Sequence, residues 1–382
     1  MASTSVIKIN KKALKNNIEF LRNYLSPNVK ISAVIKGNAY GHGTDKILPT
    51  LEEKGVRHFS VFSSSEAKIA LKHKTNGSTI MIMGYIYAFD YQWIIANNIE
   101  FYVYELDVLH KAIEEAKRQN TKAFIHLDLE TGMNRTGLNF ENLKKAVRII
   151  NENKEFVEVK GATSHFAGAE SIANYLRVSK QLSLFKKRIK YLEANNIYPE
   201  YRHIACSAAA INYPQSQFNL IRTGILIYGY WPTKETFISF VHKKKININP
   251  LKRVIKWESN VMSIKKVKLG EFVGYGLGYQ ATKDLRIMVI PVGYANGYSR
   301  SLSNNGHVLV NSCRAPIIGT VNMNMIICDI TEIDNVKIGD SVVLIGQQGE
   351  NEISFASFAE MNNSLNYEIL AHLPENIPRI LV

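Results

Sequence analysis

From Ile31 to about Gly229, short apolar runs alternate with amphipathic stretches, the pattern of parallel strands joined by crossover helices. Eight runs stand out: Ile31 to Lys36, His58 to Phe62, Ser78 to Met83, Glu100 to Tyr104, Lys122 to Asp128, Val157 to Ser164, Tyr201 to Ala205 and Asn219 to Arg222. Stretches such as Glu66 to Lys72 and Val108 to Arg118 between them carry apolar residues at helical spacing. Eight such units predict an α/β fold whose N-terminal part, residues 10–240, is a (β/α)8 TIM-like barrel. At Trp231-Pro-Thr-Lys a polar connection opens, and from about Asn247 the chain turns to short apolar runs punctuated by Gly, Asn and Asp. The runs Met288 to Val292, His307 to Val310, Met325 to Ile330 and Ser341 to Ile345 predict a mostly β C-terminal domain over residues 245–382, with one helix near Phe355 to Met361.

Composition adds limits. A chain of 382 residues with 46% hydrophobic and 21% charged residues reads as a globular enzyme with room for two domains. The three cysteines, Cys206, Cys313 and Cys328, are too scattered for a disulfide framework and form no Cys-x-x-Cys pair, so a reducing, cytoplasmic setting and no metal are expected. The N-terminus lacks an apolar signal core, and no run of roughly 18 uncharged apolar residues suggests a membrane span. The net charge of +14 raises nucleic acid as a partner, but the lysines are spread over helix faces, as at Lys11, Lys12 and Lys15, and the one tight run, His242 to Lys245, lies in the connection. No nucleic-acid partner is expected.

The densest chemical signal is Ala33-Val-Ile-Lys36-Gly-Asn-Ala-Tyr40-Gly-His-Gly43, which sets a lysine at the end of a buried strand, where glycines break any helix. An ammonium in a partly dry pocket loses proton affinity, and the neutral amine can form a Schiff base with an aldehyde cofactor, of which pyridoxal 5'-phosphate is the obvious candidate. In barrels the chemistry sits on the loops that follow the strands. Lys36 and Tyr40 follow the first strand, Arg135 the fifth, His165 the sixth, Ser207 the seventh, and Arg222, Gly224 and Ile225 belong to the eighth and its loop. Ser207 with Gly224 and Ile225 matches a phosphate site, where a hydroxyl and bare backbone N–H groups converge.

The lysine string closely resembles the cofactor-lysine motif of the alanine racemase family. The resemblance spans nearly the whole chain through Glu130-Thr-Gly-Met-Asn-Arg135-Thr-Gly, Ser164-His165-Phe166, Ile221-Arg222-Thr-Gly-Ile-Leu-Ile-Tyr228-Gly229, Val273-Gly-Tyr275-Gly, Gly293-Tyr294-Ala-Asn-Gly297, Asn366-Tyr367-Glu368 and Ile377-Pro-Arg379. It implies a pyridoxal-phosphate-dependent racemase interconverting L- and D-alanine, acting as a head-to-tail homodimer that supplies D-amino acid to peptidoglycan. Lys36 and Tyr275 would be the two bases, Tyr275 being contributed across the dimer, while Tyr294 and Tyr367 would line the entrance and inner pocket. Arg222 would face the pyridine nitrogen, where an arginine can only donate. Arg135 would contact the cofactor's phenolic oxygen and the substrate carboxylate, and the Met323 backbone N–H would bind that carboxylate too. Tyrosine, with a pKa near 10 in water, needs a nearby positive charge to act as a base, for which His165 and Arg222 are candidates. The resemblance also makes residues 1–9, around Ser5 to Ile9, a strand of the second domain.

Three positions depart from the family pattern. Asp128 stands where many relatives carry a carbamylated lysine that orients the arginine, so it is expected to be a permanent anion beside Arg135. Asn324 replaces the usual aspartate after Met323, which opens the possibility of serine as a second substrate. Cys206 precedes Ser207 where asparagine is common, with no consequence that follows from the sequence. Two alternatives stay open: a decarboxylase of basic amino acids with the same fold type, which normally has a second-domain cysteine near the site, and a non-catalytic cofactor carrier, which typically has only the barrel.

Overall fold

The computed structural model describes residues 3–75, 77–246, 248–354 and 366–382. The chain opens with β1 (Ser5–Ile9), and eight strands follow: β2 (Lys30–Val34), β3 (His58–Val61), β4 (Thr79–Ile82), β5 (Glu100–Val103), β6 (Ala123–Asp128), β7 (Val157–Thr163), β8 (Tyr201–His203) and β9 (Leu220–Thr223). β2 to β9 pair in parallel in the order β8-β7-β6-β5-β4-β3-β2-β9. The two ends of this ladder meet where Arg222 N donates to Ala205 O at 3.0 Å, giving a nearly closed barrel. Each of the eight apolar runs became one strand, because a strand covered on both faces reads as a nearly continuous apolar segment.

Helices fill the crossovers. Leu106–Arg118 buries Val108, Leu109, Ala112, Ile113 and Ala116, one stripe at helical spacing, and carries Lys117 and Arg118 in its last turn, where cations favour the helix dipole. Asn139 caps Phe140–Glu152 by accepting from Asn142 N at 2.9 Å. The connection after Trp231 differs from expectation, for it holds an 11-residue helix, Lys234–Lys244. Thr233 Oγ1 caps it, accepting from Thr236 N at 3.1 Å. Phe240 anchors it, packed 4.9 Å from the Trp231 ring and 5.4 Å from Phe20.

The chain divides into two compact units, residues 14–37 with 47–252, and residues 1–13 with 38–46 and 253–382. The second is mostly sheet: β10 (Ile255–Asn260), β11 (Ser263–Val267), β12 (Leu285–Ile290), β13 (His307–Val310), β14 (Cys313–Pro316), β15 (Ile326–Asp329), β16 (Ser341–Gln348), β17 (Asn351–Ile353) and β18 (Arg379–Leu381). One sheet runs β14-β13-β16-β10-β1-β18, with β1 antiparallel to β10 and parallel to β18. A second has the order β11-β12-β15 and packs Leu285 and Ile287 with Val273, Ala281 and Ile318. The helix expected near Phe355 to Met361 lies outside the described residues. No helix of the described residues is long and apolar enough to cross a membrane.

Candidate functional site

The glycines after Lys36 do not stop the helix; they reverse its hand. Lys36–Tyr40 forms one helical turn in which Gly37, Asn38, Ala39 and Tyr40 have φ of 61°, 51°, 53° and 52°, so it winds left-handed. Three of the four are L-residues in a conformation that disfavours Cβ, so the surroundings must hold them there. The Glu66 carboxylate does so at the start, accepting Gly37 N–H and Phe62 N–H, each at 2.6 Å. Asn38 does so at the end, its Oδ1 accepting Thr44 N–H at 2.9 Å while its backbone carbonyl accepts Gly43 N–H at 3.0 Å. Gly41 completes the turn at φ 73°, where a Cβ would lie 2.1 Å from the Leu370 carbonyl oxygen. Glu66 was missed from sequence, although Ser63-Ser-Ser-Glu66 after β3 is a capping pattern.

Lys36 has an exposed side chain at the barrel mouth, yet surrounding protein and the Arg135 guanidinium push its ammonium below the ordinary lysine range, with Arg222 adding to this and Glu66 opposing it. The structure therefore brings Lys36, Arg135, His165 and Arg222 together at the carboxyl ends of the barrel strands. Arg222 is buried and held from the ends of two strands, β7 and β8: Nη1 donates to Thr163 Oγ1 at 2.8 Å, to His203 Nδ1 at 2.6 Å and to His203 O at 2.8 Å, and Nη2 donates to Ser164 O at 2.7 Å. Thr163 and His203 were not singled out in the sequence, because a polar residue at the last position of a strand carries no local signal of what it will meet.

His165 corrects one expectation. Burial, then the charges of Arg222, Arg135 and Lys36, lower its pKa to about 3, so it is neutral and supplies no positive charge to a tyrosine. Asp128 corrects another. It is buried, accepts Thr136 Oγ1 at 2.9 Å and forms no ion pair with Arg135 among the described residues. Burial raises its pKa to about 6, against the opposing pull of Thr136, Arg222 and Arg135, so it titrates just below neutrality and is not a permanent anion.

This shift has a stability consequence. A folded pKa raised above the ordinary value means the folded state binds the proton more tightly, so the associated stabilisation is complete below about pH 3.8 and lost as pH rises through about 6. Asp128→Asn keeps an acceptor for Thr136 without the buried charge. Its urea-unfolding free energy relative to wild type should rise between pH 4 and pH 8, by at most about 3 kcal/mol. A difference that stays flat across that range would show that Asp128 is ionised throughout.

Ser207 opens the helix Ser207–Asn212 after β8 and is buried. Its Oγ accepts Gly224 N–H at 3.1 Å and sits 3.1 Å from Thr223 Oγ1, so the hydroxyl and the backbone leading to Ile225 share one corner. Hydroxyl and N–H donors at the ends of two adjacent barrel strands suit a phosphate, and the amine and guanidiniums suit an aldehyde-bearing, anionic ring. This donor set fits pyridoxal phosphate.

In the second unit, Tyr294 N donates to Asn322 O at 3.0 Å and Ala295 N to Met323 O at 2.9 Å, which sets Tyr294 beside Met323 and the exposed Asn324. Tyr275 stands at the tip of a loop between Gly274 and Gly276 and is 76% exposed, closed below by Val273 N to Tyr279 O at 3.0 Å. Tyr40 is half-buried, and its carbonyl accepts from His42 Nδ1 at 2.7 Å. Tyr367 lies on the helix Asn366–Ala371, and its side chain falls outside what is described.

Comparison with known proteins agrees with this architecture. Residues 9–232 match the alanine racemase N-terminal domain family and residues 254–381 the alanine racemase C-terminal domain family. The alanine racemase of Methanococcus maripaludis is 32% identical, the match covering 98% of this chain and 97% of that protein. Among solved structures, an alanine racemase of Clostridium difficile 630 superposes with a TM-score of 0.92 at 28% identity, covering 100% of this chain and 96% of that one. An alanine racemase of Bartonella henselae with covalently bound pyridoxal phosphate gives 0.85 at 27% identity, covering 100% of both chains. Two family domains in order, carried by a barrel and a sheet domain of matching fold, establish that this chain belongs to the alanine racemase family, pyridoxal-phosphate-dependent isomerases.

Proposed function

We propose that this chain binds pyridoxal 5'-phosphate and interconverts L- and D-alanine with two bases, Lys36 and Tyr275 from a second copy. The observation that carries the reading is Lys36 itself, an amine held in a left-handed turn beside two guanidiniums that favour its neutral form. Lys36 would hold the cofactor covalently, Ser207, Gly224 and Ile225 its phosphate, and Arg222 its ring nitrogen, with Tyr40, His165 and Tyr367 around it. When bound, the cofactor withdraws electrons from the substrate's Cα–H bond, so that a base of ordinary strength can remove the proton.

The protein's part is positional. Arg135 and the Met323 N–H would bind the substrate carboxylate, with Tyr294 and Asn324 bordering the substrate. Lys36 would move the proton on one face of Cα and Tyr275 on the other, so a proton leaves from one side and returns from the opposite side. Arg222, a group that can only donate, would face the ring nitrogen and would leave it unprotonated, which would limit side reactions.

A homodimer is supported by Phe272, Tyr275, Leu277, Met323 and Met325, which are exposed apolar or aromatic residues of one chain that a second copy would cover. Free thiols at Cys206, Cys313 and Cys328 support a cytoplasmic enzyme, and D-alanine for peptidoglycan is the corresponding role.

The test is chiral analysis of products from L-alanine and L-serine with the cofactor-loaded enzyme. D-alanine should form, with measurable D-serine, since the Asn324 amide offers a donor and an acceptor to a substrate hydroxyl. Asn324→Asp should shift the serine-to-alanine ratio of kcat/KM toward alanine by roughly two- to tenfold, the size of one hydrogen bond. No D-alanine would end the racemase reading, and an unchanged ratio would end the role of Asn324.

A further inference from the structure

Inside the barrel a chain of buried polar side chains runs from Arg222 to Glu100. Arg222 Nη1 meets His203 Nδ1 at 2.6 Å, His203 Nε2 meets His126 Nδ1 at 2.8 Å, and His126 Nε2 meets Glu100 Oε2 at 2.6 Å. His203 and His126 are fully buried and Glu100 nearly so. Arginine only donates, and this fixes the direction of every bond. His203 Nδ1 must accept, so its proton is on Nε2; His126 Nδ1 must therefore accept, so its proton is on Nε2 and goes to the carboxylate. A side branch joins at the carboxylate: His58 Nε2 donates to Glu100 Oε2 at 3.2 Å, and its Nδ1 lies 2.8 Å from Ser32 Oγ.

The chain is built in. Gly161 makes room for it, since a Cβ there would lie 2.0 Å from His126 Nδ1. Burial and the Arg222 charge keep His203 neutral, and burial also lowers His126. Burial alone would raise Glu100, but its bonds from His126 and His58 hold it well below the usual carboxylate range. The result is a guanidinium and a carboxylate, both buried, balanced through two neutral imidazoles.

We propose that Glu100 is a positioning residue for the reaction: through His126 and His203 it fixes the tautomer that Arg222 donates to, and so holds the guanidinium at the cofactor ring nitrogen. This rests on the proposed placement of Arg222 at that nitrogen. A carboxylate polarises each imidazole in turn and makes His203 Nδ1 a stronger acceptor. A neutral side chain at position 100 would leave Arg222 tied to a weaker acceptor and free to shift.

The test compares wild type, Glu100→Gln and, on the side branch, His58→Gln, each first without cofactor. Nitrogen-15 NMR of the imidazoles should show His126 and His203 protonated at Nε2 in wild type and His58→Gln, with a far-downfield N–H proton that Glu100→Gln loses. In the loaded enzymes, Glu100→Gln should lower kcat about tenfold with KM changed less than twofold and should raise the pyridoxamine formed per turnover at least threefold. His58→Gln should leave both near wild type.

Nδ1 protonation of His203 in wild type, or an unchanged downfield signal in Glu100→Gln, would overturn the relay. Unchanged pyridoxamine partition in Glu100→Gln, with Arg222→Lys altering it, would overturn the coupling from Glu100 to Arg222. Arg222→Lys leaving the partition unchanged would instead remove Arg222 from the ring nitrogen, and the coupling with it. The ligand atoms of His58, Glu100 and His126 also lie within 4.8 Å of one another, so stoichiometric zinc uptake abolished by Glu100→Gln would overturn the relay in favour of a metal centre.

Discussion

Lys36→Ala chains and Tyr275→Ala chains are each expected to lose racemase activity by on the order of 10³-fold, and an equimolar mixture is expected to regain about a quarter of the wild-type sites. The reasoning is geometric. If each site takes Lys36 from one chain and Tyr275 from another, a hybrid dimer has one site with neither base and one with both. Random pairing makes about half the dimers hybrid, and half the sites in each hybrid are intact. Activity in mixed and re-associated chains, set against the hybrid fraction from native mass spectrometry, checks it. Hybrids that form and stay inactive would mean that each site is built within one chain. Separately, borohydride reduction of the loaded wild type followed by peptide mapping should mark Lys36.

Tyr275→Phe should divide the two directions of the reaction. In deuterium oxide, one alanine enantiomer should still exchange its Cα proton through Lys36, while exchange from the other falls by about 10²-fold or more, the usual size of a lost general base. Exposure of Tyr275 on a glycine-flanked loop makes the fold tolerant of the change, so the loss reads chemistry and not unfolding. Equal loss from both enantiomers would show that Tyr275 is not a base of one face.

Much of this site was legible in the sequence because its markers are local. Lys36, His165, Ser207 and Arg222 each stand at or just past an apolar run, and a barrel delivers the ends of all its strands to one face regardless of loop detail. The eight strands were legible for the same reason, since a doubly covered strand must be apolar throughout.

Electrostatic state was not legible, because it depends on burial and on neighbours distant in the chain. Asp128 looks like a permanent anion until burial raises its pKa to about 6, and His165 looks like a cation until burial and the charges of Arg222, Arg135 and Lys36 lower its own. The hand of the Lys36–Tyr40 turn was equally hidden, as glycine marks a break but not the left-handed path that Glu66 stabilises from outside and Asn38 from within. Sequence alone determined the barrel, the sheet domain and the place of Lys36, His165, Ser207 and Arg222 at or just past the strand ends, through patterns that each segment carries by itself. Tertiary structure alone decided which of those residues are charged and what Arg222 leans on, since Glu100, His126 and His203 come from β5, β6 and β8 and meet only when the barrel closes.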